Sequence, residues 1–99
     1  MTEIQNSDED KASVPGWFVY IVRCADRSLY TGVTTDIVRR INEHNLSKRH
    51  AAAYTRARRP VLLVYKELLP SRSSALKREY QIKQMTSRDK EMLIKDDAH

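Results

Sequence analysis

Apolar side chains fall into short runs separated by polar and charged stretches, and the period within each run predicts its element. Trp17 to Arg23 (WFVYIVR) is aromatic and β-branched, lies between Pro15-Gly16 and Asp26, and predicts a strand. Leu29 to Val33 is a second run of the same kind, close enough to pair with the first as a hairpin. From Asp36 to Leu46 the period becomes helical, with Ile37, Ile41 and His44 on one stripe and Val38 beside it. Thr34 or Thr35 can cap this helix, and Asp36 in its first turn suits the helix dipole. Residues 47–60 are basic and irregular, with a short helix expected at Ala51-Ala52-Ala53 and a stop at Pro60. Val61 to Glu67 predicts a third strand, whose apolar run implies burial on both faces. A Ser-rich start at Ser71 to Ser74 opens a helix to about Met85, and Thr86 with Asp89 caps a last helix ending near Lys95. The predicted order β-β-α-(α)-β-α-α is an α/β fold, a small, mainly antiparallel three-stranded sheet flanked by helices.

Register decides whether the two hairpin tyrosines, Tyr20 and Tyr30, share a face. A three-residue turn at Ala25-Asp26-Arg27 sets Val22 opposite Tyr30 and Tyr20 opposite Gly32, with both tyrosines on one face. A two- or four-residue turn separates them, and Asp26 has no following Gly to decide between the two. Gly32 is costly inside a strand unless something must approach the backbone closely.

The 99 residues allow one small domain, expected over 15–96, with 97–99 a frayed end. Residues 1–14 form an acidic tail, with Glu3, Asp8, Glu9 and Asp10 and little apolar content, and are expected to be disordered. The one cysteine, Cys24, excludes an internal disulfide and a thiolate metal cluster. Only Gly16 and Gly32 are present, which excludes a Gly-rich phosphate loop. No apolar run approaches the roughly 18 residues of a membrane span, and no signal-peptide core opens the chain, so the expected location is the cytoplasm, away from membranes. Net charge is +5, and it is uneven: between Arg39 and Arg59 lie seven basic residues (Arg39, Arg40, Lys48, Arg49, Arg56, Arg58, Arg59) against Glu43, a local +6. A solvated face and a nucleic-acid surface are about equally good accounts of that block.

Two charged positions stand out. At 100° per residue Arg40 lies about 60° from Ile37 and about 40° from His44, so it edges the apolar stripe while Arg39 faces water. A guanidinium so placed needs an anion, either a carboxylate such as a structural Glu or a bound phosphate. On the helix from Ser71, Ala75, Leu76, Tyr80 and Ile82 define an apolar arc with Glu79 inside it. A carboxylate there must be paired, as with Lys83 one turn on, or hold a metal. No Ser-His-Asp, Cys-His, zincin or P-loop constellation can be assembled.

Phe18-Val19-Tyr20, Tyr30-Thr31-Gly32, Asp36-Ile37-Val38-Arg39-Arg40 and Glu79, in this order, resemble the GIY-YIG nuclease domain over about residues 16–95. Phe18 stands where the family's first motif begins with Gly, and Thr31 where the second carries Ile. Tyr54-Thr55-Arg56-Ala57-Arg58-Arg59-Pro60 before a Val-Leu strand is similar to the small stand-alone bacterial YhbQ-like group. The resemblance implies metal-dependent hydrolysis of DNA phosphodiesters with little sequence specificity, branched or damaged DNA being candidate substrates and RNA left open. Its alternative is a non-catalytic nucleic-acid-binding module with the same fold. By position, Tyr20 and Tyr30 would position or deprotonate the attacking water, Arg40 grip the scissile phosphate, His44 help order the nucleophile, and Glu79 bind one Mg²⁺ or Mn²⁺. Arg39, Lys48, Arg49, Tyr54, Arg56, Arg58 and Arg59 would contact nucleic acid, and a monomer is the default state.

Overall fold

The computed structural model describes residues 16–97; the tail expected over 1–14 and the final residues 98–99 lie outside the described part. Its strands are β1 (Trp17–Arg23), β2 (Leu29–Thr34) and β3 (Leu62–Leu69), and its helices α1 (Ile37–Leu46), α2 (Ala53–Arg56), α3 (Arg72–Lys83) and α4 (Ser87–Asp97). The sheet order is β2-β1-β3, with both pairings antiparallel. Among the described residues no helix is long and apolar enough to cross a membrane.

The continuously buried strand is β1, not β3. Val19, Tyr20, Ile21 and Val22 are all at or below 1% exposure, because β1 has a neighbour on each side and packed residues on each face. β3 is an edge strand, with Leu62 68% and Leu68 57% exposed, so its apolar run does not mean burial on both faces. Pairing shifts from Ile21↔Tyr65 to Val22↔Leu63, which leaves Val64 as a bulge in β3.

The hairpin register places Val22 opposite Tyr30 and Tyr20 opposite Gly32, the shared-face alternative. Cys24 N–H donates to Ser28 O and Arg27 N–H to Cys24 O, each at 2.8 Å, closing a three-residue turn over 25–27. Such a turn needs its last residue in the left-handed region, and Arg27 takes it at φ 75°. The Asp26 carboxylate supports the turn by accepting from Ser28 N at 3.0 Å and from Arg58 Nε at 3.0 Å.

Alternation along β1 sends its side chains to two cores. Val19 and Ile21 pack with Tyr65 and with Ala75 and Ile82 of α3, and Leu93 and Ile94 of α4 close that side. Tyr20, Val22 and Cys24 pack with Val61 and, from β2 and α1, Tyr30, Ile37 and Ile41. Asp36 itself, rather than Thr34 or Thr35, is the N-cap of α1: its extended backbone lets the carboxylate accept from Arg39 N at 3.1 Å. Ser71 caps α3 in a reciprocal box with Ser74, and Thr86 Oγ1 accepts from Asp89 N at 3.1 Å ahead of α4. The short helix begins at Ala53, two residues later than expected, because Ala51 is drawn into the interior. Tyr80 falls outside the buried arc of α3 at 67% exposure; that arc centres on Ala75 and Ile82, with Glu79 on its flank.

Candidate functional site

The site grows from β1 outward. Tyr20 is buried and its hydroxyl lies 2.7 Å from Nε2 of His44, on α1. His44 is fully buried, and its Nδ1 lies 2.7 Å from Oγ1 of Thr55, on α2. Thr55 is equally buried, and its hydroxyl donates to Ala52 O at 3.1 Å. Burial pushes the Tyr20 phenol up to about 12, opposed by the Arg40 guanidinium beside it and reinforced by Tyr30 and Glu79. Burial pushes His44 down to about 4, helped by the cations Arg40 and Arg59 and opposed by Glu43. At neutral pH both groups are therefore uncharged.

A ring stack extends from this pair. Tyr30 meets His44 edge-on at 5.4 Å and stacks on Tyr54 at 5.8 Å and 25°. The Arg58 guanidinium carbon lies over the Tyr54 ring, 3.9 Å from its centroid.

The expected site residues separate into three groups. Tyr20, Tyr30, Arg40 and His44 come together directly, while Glu79 joins through its charge at Tyr20, its carboxylate 3.1 Å from Lys83 Nζ. Arg56, Arg58 and Arg59 spend donors on the protein. Arg56 Nη2 bonds Ala51 O at 3.0 Å, and Arg58 bonds Asp26 and Tyr54 O, each at 3.0 Å. Arg59 Nε bonds His44 O at 2.7 Å and its Nη2 bonds Ser47 O, closing the C-terminal end of α1. Arg39, Lys48 and Arg49 are exposed, Arg39 within 3.7 Å of Glu43.

Arg40 Nη1 reaches both Glu43 Oε1 and His50 O, each at 2.7 Å. A guanidinium has five N–H donors, so these contacts at one nitrogen leave capacity for an anion. Sequence reasoning missed Thr55 and Glu43 as members of this cluster. Glu43 carried a signal, its i,i+3 spacing from Arg40. Thr55 carried none, because it reaches His44 across an irregular loop.

His44 makes the fold acid-sensitive in a definite range. Its folded value of about 4 lies below the ordinary 6.5, so below about pH 6.5 the unfolded chain takes up a proton that the folded chain refuses. Stability from this residue is complete above pH 6.5, falls as pH drops toward 4, and is lower by about 3 kcal/mol beyond that. Urea unfolding from pH 7 to 4 should follow this decline, and His44→Gln should remove that part of the slope, leaving the carboxylate contribution.

Residues 16–92 match the family described as the GIY-YIG catalytic domain. UPF0213 protein DP2720 of Desulfotalea psychrophila is 56% identical over 95 residues, covering 96% of this chain and 83% of the relative. UPF0213 protein SH2523 of Staphylococcus haemolyticus is 49% identical over 79 residues, covering 80% and 94%. The solution structure of UPF0213 protein BH0048 from Bacillus halodurans superposes with a TM-score of 0.52 at 42% identity, covering 81% of this chain and 83% of that one. That of protein EF2693 from E. faecalis gives 0.56 at 35% identity, covering 82% and 84%.

Proposed function

The chain belongs to the GIY-YIG catalytic-domain family, and from that premise we propose that it hydrolyses DNA phosphodiesters with one Mg²⁺ or Mn²⁺ ion and little sequence preference. The observation that carries this reading is the buried, neutral His44 held against the Tyr20 hydroxyl with the Arg40 guanidinium beside it. A phenol held near 12 is a poor phenolate at neutral pH, so Tyr20 works best as a relay. The water O–H bond breaks as its proton passes to the Tyr20 oxygen, and the phenol hydrogen moves to His44 Nε2. His44 is a weak base, at about 4 in the free protein, and takes that hydrogen only once the bound phosphate's negative charge offsets Arg40 and Arg59. The hydroxide then adds to phosphorus, and the scissile P–O bond breaks with its electron pair on the leaving oxygen. Arg40 would hold a non-bridging phosphate oxygen, and Tyr30 would orient the water from beside His44.

Among the described residues no three His, Cys, Asp or Glu side chains form a metal cage, and Glu79 is the one carboxylate we assign to the ion. That donor set fits an ion that keeps most of its waters and takes oxygens from substrate, as Mg²⁺ and Mn²⁺ do. Bound at Glu79, such an ion would supply positive charge to the phosphate oxygens.

Nicking of supercoiled plasmid with Mg²⁺ or Mn²⁺, halted by EDTA, tests the reading; branched DNA and RNA substrates then define its range. Duplex binding should weaken with salt, since Arg39 on the site helix and Lys48 and Arg49 just after it are exposed cations. Lys48→Ala with Arg49→Ala should flatten the log–log salt slope by up to about 1.8, while cleavage at low salt persists. One observation favours a binding module without chemistry: Arg40 already bonds Glu43 and His50 O. Salt-sensitive binding without nicking in any metal would establish that second reading.

A further inference from the structure

We propose that Thr55 is a positioning residue: it holds His44 in the Nδ1–H tautomer and thereby directs the Tyr20 hydrogen onto Nε2. The tautomer follows from the hydrogen-bond chain around a neutral ring; its importance for cleavage rests on the nuclease reading above.

The assignment follows from counting hydrogens along one buried chain. Arg40, beside the Tyr20 hydroxyl, is a donor only. The Ala52 carbonyl, 3.1 Å from Thr55 Oγ1, is an acceptor only. Between these fixed ends lie Tyr20, His44 and Thr55, joined by contacts of 2.7 Å and 2.7 Å. A neutral imidazole has one donor and one acceptor, and each hydroxyl has one hydrogen. With Thr55 donating to Ala52 O, its oxygen must accept from His44 Nδ1–H. His44 Nε2 is then a lone pair, the Tyr20 hydroxyl donates to it, and the Tyr20 oxygen faces the guanidinium with lone pairs. Every hydrogen has an acceptor.

The reverse order fails at Tyr20. With Nε2–H donating to the phenol oxygen, the Tyr20 hydrogen would be left beside the Arg40 donor at a residue 1% exposed. An unsatisfied buried hydroxyl is disfavoured. The reverse tautomer would also leave Nε2 with no lone pair for the proton coming through Tyr20. Thr55 meets the site at His44 Nδ1, so its effect runs through His44, which separates it from a catalytic residue.

Imidazole ¹⁵N chemical shifts of the intact protein at neutral pH give the tautomer directly, without substrate or metal. The wild type should give an Nδ1–H, Nε2-unprotonated pattern for His44, and Thr55→Ser should keep it. Thr55→Val removes the acceptor at Nδ1 and should shift His44 toward Nε2–H, with kcat lower by about 10–100-fold and KM little changed. Thr55→Ser should restore kcat. An Nε2–H pattern in the wild type overturns the proposal even when Thr55→Val fails to fold, and so does an unchanged Nδ1–H pattern in a folded Thr55→Val protein. The expected tautomers in a protein that never nicks support the positioning role and refute the nuclease reading instead.

Discussion

Glu79→Gln is expected to abolish metal-dependent nicking while leaving a folded protein that still binds DNA. The side chain is 19% exposed on the flank of α3 and pairs with Lys83, itself 49% exposed. Loss of such an i,i+4 pair costs about 0.2–0.5 kcal/mol, too little to unfold the domain. The Glu79 charge also raises the Tyr20 pKa, so two catalytic roles predict opposite results. If Glu79 acted only through Tyr20, Gln would ease proton movement at the phenol and the rate would hold or rise. If Glu79 is the sole carboxylate ligand of the ion, the rate should fall by about 100-fold or more. Initial nicking rates across Mg²⁺ and Mn²⁺ concentrations, with DNA binding measured in EDTA, distinguish these cases. A variant that nicks at the wild-type rate would remove Glu79 from the site.

The order of elements and the family were legible because each depends on short-range pattern. The WFVYIVR run, the helical stripe of Ile37, Ile41 and His44, and the Ser71 cap all act within a few residues. The hairpin register was not legible, since the left-handed turn position is held by Arg27 where Gly would signal it. What stabilises that turn includes the Asp26–Arg58 pair, between residues remote in sequence. The same remoteness hid a second use of the basic segment. Counted as charge, Arg56, Arg58 and Arg59 look like a phosphate-binding run, and each also spends part of its five donors on the protein, at Ala51, Asp26, Tyr54, His44 and Ser47. The segment therefore braces α1 and the hairpin turn, and with them the rings of the site. β3 misled for a different reason: an apolar run records what a strand can bury, while sheet order decides how much it does.

Gly32→Ala should destabilise the protein and suppress nicking, although alanine is ordinarily the better residue inside a strand. Exchanging Gly for Ala would by itself favour the strand by about 0.5–1 kcal/mol. Space reverses the sign. A Cβ on Gly32 would lie 2.5 Å from the Tyr20 hydroxyl oxygen, 2.7 Å from Cζ and 3.1 Å from Cε2. Tyr20 cannot yield cheaply, because its ring is 1% exposed and its hydroxyl is bonded to His44. Overpacking of this kind costs about 1–3 kcal/mol, and a displaced phenol leaves buried Nε2 unpaired at about 1–3 kcal/mol more. For a domain of this size each kcal/mol moves Tm by roughly 4–8 °C, so a fall on the order of 10 °C is expected. Double-mutant analysis with Tyr20→Leu identifies the cause. Leu lacks the Cζ and hydroxyl atoms that the new methyl would meet, so Gly32→Ala should be neutral or mildly stabilising in that background. Equal destabilisation with and without the Tyr20 ring would mean that Gly32 is kept for its backbone rather than for the space above it. The absence of positive φ at either described glycine argues against that outcome, and leaves close approach of the Tyr20 ring as the reason this strand carries a glycine.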